Sequence, residues 1–399
     1  MKNKLSFYDP FGKSVLINTI PYIGRDSAVV EALTRENQTP RYGIISLQGD
    51  ILLPLKYKSI LALNERFFVV RSNGKRDRIW DREEDVFLDE KYQRRIVNVL
   101  FPDSQDYLPV YADSQGDLGI LQNSGVLLVK ASYKSIWDYG SYILVGHEDI
   151  PDEKLLDQRG NVVIPSGYDR IIYTNGVISL LDTDIDYDYN LFPVELAGKC
   201  LFVDRNNHRI SEKTYAGLCP FTKSGYAIFS NENGMLGVID REENVVLPPV
   251  FKALNWNGPS CLEAMRADDS SLLLISPSGE MLLPSGWSLE LRNGSHATAK
   301  QKGRRAVFEQ RTPGGRFDTL LFENSASMVP DKDYVILFKG NTKNQKRHLL
   351  NYDGTPLFQK VYDDILFCPD PNLIVVKDGL RWFLMNNLGE RLNEITIHL

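Results

Sequence analysis

A stretch beginning at Arg41 and reading RYGIISLQGDILLPLKYKSI returns in altered form from one end of the chain to the other, and this internal repeat constrains the fold more than any other feature. Aligned on their turns, the copies fall at Gly12, Gly49, Glu84, Gly125, Gly160, Asn207, Glu243, Gly279, Gly315, Gly354 and Gly389. Successive turns are 35 to 47 residues apart, most of them 35 or 36. A period this steady marks a supersecondary unit that buries its apolar face against copies of itself.

Three columns set the register. Five and four residues before the turn stand two apolar residues, as in Ile44-Ile45, Ile120-Leu121, Leu155-Leu156, Phe202-Val203, Val238-Ile239 and Leu349-Leu350. Three before it comes a turn-former such as Ser46, Asp81, Asp157, Asp204, Asp240 or Asn386, whose side chain can bond the backbone two residues on. After the turn a second β-rich run ends at a proline in Ile51-Leu52-Leu53-Pro54, Val162-Val163-Ile164-Pro165, Val245-Val246-Leu247-Pro248 and Met281-Leu282-Leu283-Pro284. Proline there ends the pairing or occupies an edge.

Eight residues past the turn an aromatic recurs: Tyr57, Tyr92, Tyr133, Tyr168, Tyr215, Phe251, Trp287 and Tyr362. Such a column could be a ladder of stacking platforms for a sugar or a base, or mortar between copies, each ring burying ~150–250 Å². Phe251 and Trp287 share only apolar bulk with the tyrosines, which favours packing. A further strand precedes each hairpin, as in Phe67-Phe68-Val69-Val70 leading through Asn73-Gly74, and Ile374-Val375-Val376 through Asp378-Gly379. Asn-Gly and Asp-Gly supply the positive φ of tight hairpins. The expected fold is all-β: tandem antiparallel meanders of about 36 residues, β-propeller-like, with an open β-solenoid as the alternative.

Segments such as Leu236-Gly237-Val238-Ile239-Asp240 with Val246-Leu247-Pro248, and Leu155-Leu156-Asp157 through Gly160 to Val162-Val163-Ile164-Pro165 with Tyr168-Asp169-Arg170-Ile171, resemble the bacterial WG repeat. The name-giving aromatic before glycine survives only as Tyr42-Gly43; Leu118-Gly119 and Leu236-Gly237 replace it. The resemblance implies an all-β repeat scaffold without known catalytic residues.

The longest interval, between Gly160 and Asn207, holds an acidic insertion at 181–190, so two lobes are expected, residues 1–180 and 191–399. The chain starts and stops inside a repeat, which suits a ring whose one end lends a strand to the other. Within and beside the insertion, Asp184, Asp186 and Asp188 with Asn190 and Glu195 have the spacing of an EF-hand calcium loop. Tyr189 stands where that loop needs glycine, so a solvated loop is the plainer reading and these residues remain a weak metal candidate.

Forty-six basic against 52 acidic residues give a net charge of -6, without the basic excess of a nucleic-acid surface. The small basic clusters Lys300, Lys302, Arg304, Arg305 and Lys343, Lys346, Arg347 read as solvated hairpin faces. Cys200, Cys219, Cys261 and Cys368 have no metal or redox spacing and are expected to be buried free thiols in a reducing, cytoplasmic compartment. The amino terminus lacks the apolar core of a signal peptide, and no run is long enough to span a bilayer. His147, His208, His296, His348 and His398 fall in five different copies, and no GxSxG, P-loop, HExxH or dinucleotide motif is present. These readings predict no catalytic residue, no cofactor, no membrane or nucleic-acid partner, and a non-catalytic scaffold that binds another protein through its loops. The loops of interest are 181–192, Phe101-Pro102-Asp103 and Arg311 to Phe317. The alternative is a carbohydrate or small-ligand module using exposed Trp137, Trp256 and Trp382; a hydrolase is the third reading.

Overall fold

The turn is the element from which each copy is built. The Ser46 amide donates to the Asp50 carbonyl (2.8 Å) and the Gly49 amide back to Ser46 (3.0 Å), with Gly49 at φ 102°. This is a three-residue loop closed by a left-handed residue, a type I turn with a G1 bulge. Asp157–Gly160, Asp204–Asn207, Asp240–Glu243 and Asn386–Gly389 repeat it with the same two backbone bonds. The turn-former locks the loop: Asp157 Oδ1 accepts the amides of Arg159 (2.9 Å) and Asn161 (2.8 Å), and Asp204 Oδ1 those of Asn206 and His208. Two copies shift the left-handed position by one residue. After Asp81 it is Asp85 (φ 49°) and not Glu84, because four residues separate the Asp81–Val86 strand pair, and near Gly315 it is Gly314 (φ 76°).

The computed structural model describes residues 15–34, 39–147, 150–172, 187–258, 260–266, 272–312, 314–324, 326–330, 333–339 and 345–395. Among them are nine antiparallel sheets, spanning 15–57, 59–87, 95–133, 135–164, 170–204, 217–275, 288–324, 328–350 and 364–394, and one short helix, Leu88–Tyr92. Each sheet is made of strands consecutive in sequence. The six-stranded sheet 217–275 holds two copies joined through the long strand Val245–Trp256. These meanders have the blade architecture of a β-propeller; the parallel pairing of a β-solenoid does not occur among the described strands.

Both members of the apolar pair are buried because the hairpin's first strand is covered on both sides. Successive side chains leave a strand in opposite directions. Ile44 therefore enters a core with Tyr57, Ile60, Phe68 and Trp80, and Ile45 a different core with Leu47, Val375 and Trp382. Val238 and Ile239 divide in the same way between a core containing Phe251 and Trp256 and one containing Phe202, Phe221 and Phe229.

The glycine that precedes this pair has its own steric cause. A Cβ on Gly43 would lie 2.8 Å from the Leu53 carbonyl oxygen, and one on Gly237 would lie 2.5 Å from that of Leu247. In both copies the partner strand bulges at this point: Tyr42 pairs with Tyr57 but Ile44 with Leu53, and Leu236 with Phe251 but Val238 with Leu247. The recurrent proline, Pro54 or Pro248, sits in that bulge, where a missing N–H costs no ladder bond.

Two compact units divide the chain, one comprising residues 1–131, 337–350 and 355–399, the other 132–336 and 351–354. Within the first, the sheets 15–57 and 364–394 share one core: Ile17, Ile20, Val30 and Ile45 pack with Val375, Trp382, Leu384 and Ile395. Lys377 Nζ donates to the Asn18 carbonyl (2.8 Å) and Asn393 Nδ2 to that of Leu47 (3.2 Å). The chain ends, where the lending of a strand is expected, lie outside the described residues (1–14 and 396–399); among the described residues the sheets 15–57 and 364–394 share a core and each is built from consecutive strands.

Candidate binding clefts

In the first unit four loops from three sheets converge on a cleft of about 630 Å³, bordered by residues 22–26, 64–66, 82–83 and 102–105. Two of its lining residues are held by Asp81, fully buried, whose carboxylate takes a two-pronged bond from Arg66 (Nε 3.0 Å, Nη2 2.8 Å) and the amide of Glu83 (3.0 Å). The Arg66 guanidinium lies 4.9 Å from the ring centroids of both Phe67 and Tyr107. Asn64 Nδ2 donates to the Pro102 carbonyl (2.9 Å) and to Asp103 (3.0 Å), while its Oδ1 accepts the amides of Arg66 and Phe67. At the rim Arg82 pairs with Asp26 and Arg25 with Glu65 (3.6 Å). The result is a polar cleft whose charges are fixed by one another.

The second unit contains a cavity of about 400 Å³ at the first strands of three successive copies, Arg170–Ile171, Gly217–Leu218 and the end of Val245–Trp256. Its floor is apolar: Ile171, Leu218, Ile228, Phe229 and Leu254 are all buried. Arg170, Glu153 and Lys252 stand at its edge. Two of the four free thiols, Cys200 and Cys219, also border it, and burial pushes Cys219 up to about 12.

The aromatic column is packing, with an addition that the sequence reading missed. Tyr57, Phe251 and Tyr362 are buried and the other five half-buried; none is exposed. The phenols nevertheless have work to do. Tyr168 Oη donates to Asn207 Oδ1 (2.8 Å) and Tyr215 Oη to Glu243 Oε1 (3.1 Å), so each ring reaches the turn of the following copy. Asn207 (φ 62°) and Glu243 (φ 59°) are the left-handed residues of those turns. Where a side chain replaces glycine there, the preceding tyrosine holds it. Tyr92 Oη likewise donates to the Asn123 carbonyl (2.9 Å) beside Gly125.

Residues 42–75, which carry Tyr42-Gly43 and the bulge opposite it, match the family model described as WG containing repeat. Residues 42–75 are a WG repeat. No curated protein matches its sequence. Among solved structures, a crystal structure of the eukaryotic initiation factor is similar at 13% identity over 84% of this chain and 97% of its own, with a TM-score of 0.47. BamB from Moraxella catarrhalis is 13% identical over 82% and 92% (TM-score 0.29), and the WD40 beta propeller domain of Doa1 10% identical over 75% and 90% (TM-score 0.27).

The fold brings few of the other sequence candidates together. Trp137 is exposed (58%), but Trp256 (2%) and Trp382 (3%) are core residues and not ligand platforms. Trp256 packs beside Phe251 and Leu254 in the core of the six-stranded sheet 217–275, and Trp382 beside Val375 and Leu384 in the core shared by the sheets 15–57 and 364–394. Asp184 and Asp186 lie outside the described residues. Of their companions, Asp188 is ion-paired with Arg241 and accepts the Asn190 amide (3.1 Å), while Glu195 pairs with Arg170 (3.0 Å). The basic clusters prove to be partly paired across strands: Arg304 with Glu323, Arg305 with Glu290 (2.8 Å), Lys346 with Asp363 and Arg347 with Asp364. Lys343 and His398 lie outside the described residues. The remaining histidines have separate surroundings. His208 stands beside Asp204 at an exposed turn, His348 is buried against the Phe358 carbonyl, His147 lies against the Tyr133 ring, and His296 stacks on Tyr352. Burial lowers the His296 imidazole below its usual value. Of the expected loops, Phe101-Pro102-Asp103 contributes to the first cleft, and Arg311 borders a smaller one of about 570 Å³ with Arg292, Glu309 and Gln310.

Proposed function

We propose that the chain is a non-catalytic scaffold that binds another protein through its loops, and that the cleft over Asp81 is the principal contact. The observation that carries this reading is the convergence of loops from three copies on a cleft whose polar groups are already oriented by buried Asp81 and by Asn64. Preorganised polar groups spare a partner the cost of ordering them, and loops on a rigid repeat scaffold are where binding residues concentrate. The mixed charge of the rim, Arg25 and Arg82 beside Asp26, Glu83 and Asp103, suits a polypeptide segment bearing both signs. No described helix is long and apolar enough to cross a membrane. Free thiols at Cys200, Cys219, Cys261 and Cys368 support a reducing, cytoplasmic setting.

The test replaces rim residues that do not hold the fold. Arg25→Glu combined with Asp103→Lys is expected to abolish recovery of a partner that the wild-type chain retains in cross-linking pull-downs from the source cell, with the unfolding midpoint unchanged. A partner retained equally by the double variant counts against this cleft.

A further inference from the structure

The cavity of the second unit exists because the middle of three copies withholds side chains that its neighbours provide. Nine residues past the turns at Gly160, Asn207 and Glu243 stand Asp169, Ala216 and Lys252; ten past them stand Arg170, Gly217 and Ala253; eleven past them stand Ile171, Leu218 and Leu254. The last column forms the floor, and Ala216-Gly217 leave the space above it open between Arg170 and Lys252. Gly217 is not replaceable without a shift: a Cβ there would lie 2.6 Å from Ser230 Oγ.

The charges at the edge are unequally committed. Glu153 Oε2 accepts the Ile171 amide (2.7 Å), and Arg170 pairs with Glu195 on the adjoining strand (3.0 Å). Lys252 lies where the pairing register shifts between Phe251 and Ala253, and it has neither an ion pair nor a side-chain hydrogen bond among the described residues. A lone cation over an apolar floor is the pattern of a site in which a few polar groups orient a mostly apolar ligand.

We propose that this cavity binds a monoanionic amphiphile of metabolite size: a carboxylate at Lys252 and an apolar body over Ile171, Leu218 and Leu254. Burying the apolar body contributes roughly 25 cal/mol per Å² removed from water, and the head group gives Lys252 the charged partner it lacks. Neither residue at the mouth is part of the core; Lys252 and Ala216 are both exposed, so each can be changed without opening a void.

The test is calorimetric titration of the full chain with decanoate, with decylammonium as the charge-reversed comparator. Saturable binding of one decanoate is expected, at least tenfold tighter than decylammonium. Lys252→Glu should weaken decanoate at least tenfold and Lys252→Gln by less. Ala216→Phe, which fills the space, should abolish binding, and circular dichroism should show the native spectrum throughout. The proposal is overturned if decanoate does not bind saturably, if decylammonium binds as tightly, or if folded Lys252→Gln and Ala216→Phe variants bind decanoate like the wild type.

Discussion

The cleft over Asp81 and the cavity beneath Ala216 grow from the same repeat yet differ in how their charges are spent. In the first, Asp81, Arg66, Arg82, Asp26, Arg25 and Glu65 are all engaged with one another. In the second, the floor is apolar and Lys252 is left over. Saturated charge fixes loop shape and offers a partner a rigid surface; unsaturated charge over an apolar floor offers a ligand both attraction and shelter. The repeat thus supplies two kinds of site by varying residues at and just beyond its turns while the apolar columns stay the same.

The sharpest attempt to break this contrast is Asp81→Ala. It removes the two-pronged partner of Arg66, which keeps Glu83 (3.0 Å) and Glu84 (3.5 Å), together with the acceptor for the Glu83 amide, and should cost about 3 kcal/mol in denaturant unfolding. Decanoate affinity should be unaffected where the protein remains folded; its loss would show that the two sites are not independent.

Next in size are the bulge glycines. Gly43→Ala and Gly237→Ala each drive a methyl into a carbonyl oxygen of the partner strand and should cost about 1–3 kcal/mol. Only Gly237→Ala should also disturb the cavity, because its methyl would lie 2.9 Å from Phe229, a cavity residue. Equal binding by wild type and this variant would mean that the floor tolerates displacement of that ring.

Tyr168→Phe keeps the ring and loses the bond to Asn207, so a loss of about 1 kcal/mol is expected. An unchanged midpoint would reduce the tyrosine to bulk, as at Phe251.

The last effect is confined to alkaline pH. Burial pushes Cys219 in the second unit and Cys368 in the first up to about 12, against 9.0 for the free thiol. A raised native value means that the stabilisation is complete below pH 9 and is lost as the pH climbs toward 12, because only the unfolded thiol ionises in that window. Cys219→Ala and Cys368→Ala should each flatten part of that decline in midpoint against pH.

The fold was legible because its determinants are local. Turn-formers, a left-handed residue three positions later and an apolar pair before them specify a hairpin without reference to the rest of the chain. The packing role of the aromatic column was legible too, since Phe251 and Trp287 share with tyrosine only their bulk. What escaped was pairing over distance. The Tyr168–Asn207 and Tyr215–Glu243 bonds link residues 39 and 28 apart, and the signal was present as the two non-glycine turns that follow those tyrosines. Trp256 and Trp382 are buried against expectation because a tryptophan in a strand reads the same whether it faces water or a core. The cavity could not be read from any one copy, since it arises from the difference between Ala216-Gly217 and the charged residues beside them.

The core shared by the sheets 15–57 and 364–394 sets a schedule for biosynthesis. Lys377 and Asn18 are 359 residues apart, so at ribosomal rates the face around Ile17 and Ile45 waits roughly 20 to 70 s for the segment that will cover it. Through that interval the nascent chain carries an open apolar surface on the sheet 15–57, which leaves that sheet in need of chaperone protection.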